Sequence, residues 1–379
     1  MKFVLAPDKY KGSLSGQQFC EAVEMGILRV FKDAEIIKRP LADGGDGTIE
    51  VIRHYLNATE VKTTVKNPLF RNIASGYLFS KEKRVAFIEM SEASGYKLLS
   101  KDELNCMKTT SLGTGQLIAH ALKQGAREII LGIGGSATND GGMGMASALG
   151  YSFLDENGEV LEPIGQNLHE VVDIKTDKVL PQLQNLKVKV ACDVKNPFYG
   201  KDGAAYVYAP QKGASPEEVK KLDEGLRNFA EVIDKKFGVA IQNVPGAGAA
   251  GGMGAGAMVF LNASLTSGIN LIMEMAAFDE ALKNADWVIT GEGQLDGQTL
   301  SGKTIAGVLQ VVKERKIPVA ALCGSVTLSI DELEVAGLQY VTSILNQVGS
   351  LDEAKQNSFK NLELAGYNFA KLLNTSIER

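Results

Sequence analysis

Glycine-rich segments occur at five places in the chain, and four of them also carry acids, amides or hydroxyl groups, which are residue types that could bind phosphate. The five segments are residues 41–48, 132–142, 245–252, 291–297 and 301–304. Glycine lets backbone N–H groups approach a ligand closely and adopts positive φ, which is how proteins bind phosphate. Carboxylates beside such loops can bind Mg²⁺ or accept a proton from a hydroxyl group. One loop of this kind is weak support, but five predict a phosphoryl-transfer site assembled from distant segments.

Charged residues follow the first predicted strand, residues 3–6. They are Asp8, Lys9 and Lys11, in a loop that leads to a predicted helix. In an open α/β sheet, ligands bind at the carboxyl ends of the strands. The position therefore favours a functional loop over charges that are merely solvated.

Two carboxylates, Asp43 and Asp46, lie three residues apart among three glycines after the second predicted strand. A simple turn needs only one Asp-Gly pair, so this spacing suits a metal or hydroxyl site better. The spacing is not that of an EF-hand loop, because no terminal glutamate follows in register. If the sheet is parallel, this loop lies on the same edge as Asp8.

The segment 132–142 follows a predicted strand and opens a helix, although it lacks a complete G-x-G-x-x-G pattern. We predict that it binds nucleotide phosphates, with Gly134, Gly135, Ser136 and Thr138 as the candidate residues. Tight packing of a helix on a strand is the competing interpretation.

The segment 245–252 consists of small residues without charge after its first position, and it includes Gly248 and Gly251. Backbone N–H groups that bind an anion and a close helix contact explain this composition equally well. The sequence leaves both alternatives open.

Residues 297–304 match the P-loop pattern G-x-x-x-x-G-K-T. The context is wrong for a P-loop, because a segment containing Glu292 and Asp296 separates the pattern from its strand, and no Walker B strand is evident. A true P-loop is therefore disfavoured. Lys303, at the start of a predicted helix, could still contact a phosphate.

The three histidines, His54, His120 and His169, lie outside all the glycine-rich segments. A histidine-based triad is therefore not expected, and a carboxylate must supply any general base. Asp193, at the end of a predicted strand, is a candidate. A capping role is the competing interpretation for this residue.

Composition narrows the function classes. At 379 residues the chain is long enough for two domains, and a hydrophobic content of 45% allows a sizeable core. The net charge of −5 without a long basic run argues against nucleic acid as a partner. The four cysteines form no C-x-x-C pair, which disfavours disulfides and zinc. No run approaches the roughly 20 apolar residues of a membrane span, so we expect a cytoplasmic protein; a homo-oligomer is left open.

Alternating strands and helices at both ends of the chain predict an α/β fold of two domains. We expect a discontinuous Rossmann-like parallel-sheet domain over residues 1–66 and 262–379. A mixed α/β domain is inserted over residues 67–261, and the active site is expected in the cleft between the domains.

From residue 61 the pattern changes, and antiparallel strands are predicted at residues 61–65, 73–79 and 85–90, on both sides of the first domain boundary. Further along the chain we predict a short strand at 204–209. A helix is expected to extend from about residue 264 to about residue 284.

Seven motifs, in order along the chain, resemble those of the glycerate kinase family of the glycerate 2-kinase type. They are residues 6–13, 40–48, 134–142, 192–197, 210–214, 245–252, and 291–293 together with Asp296 and Thr299. The resemblance extends from Lys2 to the last helix. Asp46 occupies a position where the family more often has glutamate. Its carboxylate is on a shorter side chain, so a contact with a metal ion or a hydroxyl group there would be displaced by about one methylene.

The resemblance implies ATP-dependent phosphorylation of D-glycerate with Mg²⁺, giving 2-phosphoglycerate, in a two-domain α/β protein not built on a Walker motif. On this basis Lys9 or Lys11 pairs with the glycerate carboxylate, and Asp193 or Asp43 accepts the hydroxyl proton. Further candidates for substrate binding are Asp8, Lys195 and Asn196. The candidates for nucleotide binding are Gly134, Gly135, Ser136, Thr138, Gly248, Gly251, Glu292 and Lys303. The candidates for Mg²⁺ binding are Asp46 and Asp296.

Rival interpretations stay open at the level of sequence. The enzyme could phosphorylate the 3-hydroxyl of D-glycerate or another small hydroxy acid. A P-loop kinase would lose ATP binding in a Lys303→Ala variant and tolerate changes at Asp8. A non-catalytic sensor of a small ligand has difficulty explaining so many acidic loop residues.

Overall fold

The computed structural model describes residues 1–42, 47–297, 299 and 304–377 of the chain. The strands, numbered along the chain, are β1 (Lys2–Leu5), β2 (Glu35–Lys38), β3 (Thr59–Lys66), β4 (Asn72–Ser80), β5 (Val85–Glu89), β6 (Glu128–Gly132), β7 (Ser152–Leu154), β8 (Asp173–Lys175), β9 (Lys187–Ala191), β10 (Ser264–Thr266), β11 (Trp287–Thr290), β12 (Gln294–Leu295), β13 (Val319–Cys323), β14 (Ser325–Val326) and β15 (Tyr340–Ser343).

The α-helices are α1 (Gly16–Leu28), α2 (Thr48–Leu56), α3 (Ser91–Ser94), α4 (Leu112–Lys123), α5 (Met143–Ala148), α6 (Ala204–Tyr208), α7 (Pro216–Phe237), α8 (Ala249–Leu261), α9 (Gly268–Met275), α10 (Phe278–Ala281), α11 (Thr304–Lys313), α12 (Ile330–Ala336), α13 (Leu351–Gln356) and α14 (Ser358–Ile377). Serine caps begin several of them. Ser15, for example, accepts a hydrogen bond from the Gln18 N–H and forms a capping box at the start of α1.

The chain divides into two compact units. Unit 1 comprises Met1–Tyr55 and Gly268–Arg379, and unit 2 comprises Leu56–Ser267. The boundaries therefore fall at 55/56 and 267/268 rather than near 66 and 262. The first lies earlier because β3 pairs with β4 along its length, which places β3 in the sheet of unit 2.

Unit 1 is built on a five-stranded sheet in the order β15-β13-β11-β1-β2, with all strands parallel. Helix α1 packs on α14, where a Cβ on Gly26 would lie 2.2 Å from the Glu363 carbonyl oxygen. From β1 the chain proceeds to β2 on one side, and β11, β13 and β15 follow on the other. The strand order therefore reverses between β1 and β11, which is where such folds bind ligands. The expected discontinuous Rossmann-like domain is confirmed.

Unit 2 contains a six-stranded mixed sheet in the order β10-β9-β6-β5-β4-β3. Strands β5, β6, β9 and β10 are parallel, and β4 is antiparallel to both β3 and β5. The prediction of antiparallel strands in this part of the chain is confirmed. Glu89, Gly132 and Ala191 end adjacent parallel strands in register, so the loops after them leave the same edge of the sheet.

Two predicted elements were wrong. Residues 204–208 form helix α6 where a strand was predicted at 204–209. Ala204 and Ala205 are buried while Tyr206 and Val207 are exposed, which is not a two-residue period. The single helix expected from about 264 is instead β10, α9 and α10. Ala277, in the left-handed conformation with φ 47°, separates the two helices.

Candidate active site

Asp8 lies just beyond β1 and is held by hydrogen bonds to two other segments and to its own neighbour Lys9. Its N–H donates to the Gly291 carbonyl at 2.9 Å, which joins the loops after β1 and β11. Its carboxylate accepts from the Thr304 hydroxyl at 2.5 Å and from the Lys9 N–H at 2.7 Å. The Asp8 carboxylate is therefore oriented at the carboxyl edge of the parallel sheet, beside the first residue of α11.

The loops after β1 and β2 meet at this edge. A cavity of about 100 Å³ is lined by Asp8, Lys9, Gly47, Glu50 and eight further residues. Gly47 has φ +92°, a conformation that favours glycine, and a Cβ there would lie 2.8 Å from Lys9 Cδ, so the lysine side chain would have to move. The prediction that the two loops lie on the same edge of the sheet is confirmed for the part of the second loop at Gly47. Asp43 and Asp46 lie outside the described residues.

A second cavity in unit 1, of about 230 Å³, lies at the carboxyl ends of β1, β11, β13 and β15. It brings Lys11 and Gly293 together with Ser325, Ile344 and Lys355. Next to it, the Gly324 N–H donates to the Glu292 carbonyl at 3.0 Å. We did not predict this cavity, although the ends of β13 and β15 could have indicated it.

Asp296 closes a short turn with Thr299. Its carboxylate accepts from the Thr299 N–H at 3.1 Å and from the Thr299 hydroxyl at 3.3 Å. Within the described ranges, no group of three or more histidine, cysteine or acidic residues is arranged to hold a metal ion. Lys303, the other candidate in this region, lies outside the described residues.

The glycine loop after β6 presents its first residues to solvent and buries the later ones. Gly134 and Gly135 are exposed, and Gly135 has φ +70°. A Cβ on Gly134 would meet no atom within 4 Å. Ser136 is buried and Thr138 is fully buried. The loop therefore offers backbone N–H groups at Gly134 and Gly135, whereas the side chains of Ser136 and Thr138 face the interior.

A lysine that sequence reasoning missed lies under this loop. Lys212 is 3% exposed, and its ammonium donates to the Ser136 hydroxyl and to the Thr138 carbonyl, each at 2.8 Å. Burial lowers the pKa of Lys212 to about 8, against the opposing influence of Cys106 and Asp140. The sequence did contain one signal, because Lys212 is the only charged residue of the motif 210–214.

Asp140 ties the same loop to two helices. Its carboxylate accepts hydrogen bonds from the backbone and hydroxyl groups of Ser111, just before α4, at 2.8 and 2.7 Å. It also accepts from the N–H groups of Gly142 and Gly144, near the start of α5. Burial raises the pKa of Asp140 although these donors oppose the shift. The role of this carboxylate is to hold the loop.

The glycines of the segment 245–252 lie at close backbone contacts. A Cβ on Gly248 would lie 2.1 Å from the Pro197 carbonyl oxygen, and one on Gly251 would lie 2.1 Å from the Thr138 carbonyl oxygen. Ala250, Gly251 and Gly252 all have positive φ. The sequence left open whether this segment binds an anion or makes a close helix contact. Close packing by itself accounts for glycine at both Gly248 and Gly251.

Asp193 and Lys195 are exposed in the loop after β9. Asn196 holds this loop together, because its side chain donates to the Asp202 carbonyl at 2.8 Å and accepts from the Tyr208 hydroxyl at 2.6 Å. Its carbonyl accepts from the Gly248 N–H at 3.0 Å. Of the predicted substrate-binding residues in unit 2, Lys195 therefore presents its side chain outward and Asn196 supports the loop.

Sequence reasoning also missed Glu89, at the end of β5. Its carboxylate accepts from the Ser91 hydroxyl at 3.4 Å, and a Cβ on Gly132 would lie 3.4 Å from Glu89 Oε1. Burial raises the pKa of Glu89. Because β5, β6 and β9 end in register, Glu89, the Gly134 loop and the loop of Asp193 lie along one edge of the sheet.

Glycine loops and acidic side chains at the carboxyl ends of parallel strands, in two α/β units, are typical of enzymes that transfer phosphoryl groups to small molecules. Residues 3–374 match the family model described as the glycerate kinase family. The chain therefore belongs to that family, and the resemblance seen in its motifs is confirmed.

Known proteins match the whole chain. It is 44% identical to a glycerate kinase of Halalkalibacterium halodurans over 97% of both chains. It is 42% identical to the glycerate 2-kinase of Escherichia coli over 98% of both. A crystal structure from Salmonella typhimurium LT2, assigned to a glycerate kinase 2, superposes with a TM-score of 0.87 at 40% identity and covers both chains fully. Within the described residues, none of the helices combines the length and apolar character that a membrane crossing requires.

Proposed function

We propose that this chain is an ATP-dependent kinase that phosphorylates D-glycerate on its 2-hydroxyl group, giving 2-phosphoglycerate. The observation that carries the proposal is full-length membership of the glycerate kinase family, with 42% identity to a protein named glycerate 2-kinase. The geometry supports it, because the exposed glycines Gly134 and Gly135 and the exposed acid Asp193 occur at the strand ends where small ligands bind.

Phosphoryl transfer requires positioning of the two substrates and neutralisation of charge more than covalent participation of the protein. In our proposal the N–H groups of Gly134 and Gly135 bind ATP phosphates, and Lys9 or Lys11 pairs with the glycerate carboxylate. Asp193 accepts the proton of the attacking hydroxyl, with Asp43 as the alternative base. Asp8, fixed by Thr304, holds its loop in place beside Lys9.

Mg²⁺ fits the donor chemistry of unit 1. This ion prefers oxygen ligands, keeps several waters and binds through one or two carboxylates, so a cluster of three acids is not required. Asp296, whose carboxylate lies beside the Thr299 hydroxyl, offers such oxygen atoms, and Asp46 is the second proposed ligand. When bound, the ion neutralises negative charge on the phosphates.

Several assignments stay predictions. They are nucleotide contacts by Glu292 and Lys303, substrate contacts by Asp8, Lys195 and Asn196, an active site between the two units, and a cytoplasmic location. The oligomeric state is also open.

A coupled assay for ADP formation, with ATP and Mg²⁺ and either D-glycerate, L-glycerate or other small hydroxy acids, tests the proposal. We expect turnover that depends on D-glycerate, and phosphorus NMR of the product should show the phosphate ester on C2. An ester on C3 would overturn the regiochemistry alone. No turnover of D-glycerate, with turnover of another hydroxy acid, would replace the substrate.

A further inference from the structure

Lys212 is a buried cation that contacts the exposed glycine loop of unit 2. Its Nζ atom lies 2.8 Å from both the Ser136 hydroxyl oxygen and the Thr138 carbonyl oxygen. These residues follow directly on Gly134 and Gly135, whose N–H groups we propose as phosphate donors. The ammonium thus supports the loop from its inner side.

The backbone around Lys212 is fixed independently of its side chain. The Lys212 carbonyl accepts from the Cys106 N–H at 3.2 Å. Gly213, with φ +91°, follows it, and a Cβ there would lie 2.0 Å from the Leu104 carbonyl oxygen. Because the backbone of Lys212 and Gly213 packs closely against residues 104–106, the lysine side chain enters the interior from a defined point.

The loop needs such a support. The Thr138 hydroxyl and both polar atoms of the Asn139 side chain are buried and find no hydrogen-bond partner among the described residues. Buried polar groups without partners destabilise a structure, and so does a buried ammonium. Both unfavourable features involve the segment Ser136–Asn139, and buried groups of this kind cluster at functional sites.

We propose that Lys212 is a positioning residue for the nucleotide, on the basis of the function proposed above. Its ammonium holds Ser136 and Thr138 so that the N–H groups of Gly134 and Gly135 face the solvent. It also places a positive charge beneath them, in a low-dielectric interior where that charge attracts phosphate more strongly than a surface lysine does.

Protonation of Lys212 then controls ATP affinity. The titratable groups that act on it are Cys106 and Asp140, and burial is the dominant cause of its lowered pKa of about 8. A lysine is charged below its pKa. ATP binding is therefore strongest below this pH, and KM for ATP rises as the pH increases through it, while KM for D-glycerate changes little.

The experiment begins with the wild-type enzyme, with both substrates varied from about pH 7.5 to 9.5, above the range in which phosphate groups titrate. Lys212→Met keeps the length of the side chain and removes the charge, whereas Lys212→Arg keeps the charge. Lys221→Met, at an exposed position of α7, is the matched control. Circular dichroism and thermal melting establish that each variant folds.

We expect Lys212→Met to raise KM for ATP about tenfold or more at pH 7.5 and to abolish its dependence on pH, since charge-assisted interactions are the stronger ones. Lys212→Arg should recover part of the affinity, and Lys221→Met should behave as the wild type. A purely structural role would lower the melting temperature without a selective change in KM for ATP.

The experiment distinguishes a failure of the proposed function from a failure of the proposed role of Lys212. If the wild type does not phosphorylate D-glycerate, the proposed function is wrong. If it does so and KM for ATP in Lys212→Met equals that of the wild type, the role of Lys212 is wrong. Should Lys212→Met fail to fold, a wild-type KM for ATP that stays constant across the pH range overturns the inference by itself.

Discussion

The acids near the strand ends differ in how their carboxylates are used. Asp140 is fully buried and accepts four hydrogen bonds from the backbone and side chain around it. A buried carboxylate that accepts this many hydrogen bonds stabilises its loop and is not accessible to a substrate. Asp193 is exposed at the end of a strand, which makes it the better candidate for proton transfer.

We expect Asp193→Asn to lower kcat by about 10²- to 10⁴-fold, because the amide cannot accept the hydroxyl proton. KM for ATP should change little, since the proposed phosphate donors are in another loop. Steady-state kinetics measure both quantities. Asp177→Asn, at another exposed aspartate of unit 2, is the control. A kcat equal to that of the wild type would remove Asp193 from the role and leave Asp43 as the base.

The short hydrogen bond between Thr304 and Asp8 links the start of α11 to the loop after β1. If its purpose is to orient Asp8, Thr304→Val and Asp8→Asn should each raise KM for D-glycerate, and the double variant should be scarcely worse than either one. A double-mutant cycle on kcat/KM measures the coupling, expected at about 0.5–3 kcal/mol. Additive effects would show that the two residues act independently.

At the scale of elements, the sequence predicted those features that depend on local pattern. The parallel strands of unit 1 and the exposed glycines after β6 follow from hydrophobic runs that end in glycine and acidic residues. Helix α6 was missed because five residues are too few to show a period. Lys212 was missed because its partners Ser136 and Thr138 are distant in the chain, and only tertiary packing brings them together.

Substitution by alanine should destabilise the protein at one glycine of unit 2 and leave its stability unchanged at another. Gly251→Ala places a Cβ 2.1 Å from the Thr138 carbonyl oxygen at positive φ, so we expect a loss of stability on the order of 2–3 kcal/mol. Gly134→Ala meets no atom within 4 Å and should melt like the wild type. Its methyl group would stand where we propose that ATP phosphate binds.

Thermal melting and KM for ATP separate these effects. We expect a normal melting temperature and a KM for ATP raised about tenfold in Gly134→Ala, because a phosphate held by backbone N–H groups needs close approach. If KM for ATP in this well-folded variant stays at the wild-type value, the phosphate does not lie against Gly134.

At the scale of the whole molecule, each unit has its own core. In unit 1, Phe369 packs on Trp287 and Tyr340, with ring centroids 5.0 and 4.9 Å apart. In unit 2, Phe229 packs on Phe153 with centroids 5.6 Å apart. The chain contains one tryptophan, so Trp287 fluorescence reports on unit 1, whereas circular dichroism reports on both units.

Matched core variants therefore test whether the units unfold separately. Phe369→Ala and Phe229→Ala each remove a buried ring and should cost roughly 3–5 kcal/mol in their own unit. With independent units, Phe229→Ala leaves the denaturant midpoint of Trp287 fluorescence unchanged and gives the circular dichroism curve an earlier transition. Phe369→Ala lowers the fluorescence midpoint. Equal shifts of both signals in both variants would mean that the two cores unfold as one cooperative system, because each unit would then depend on the other for its stability.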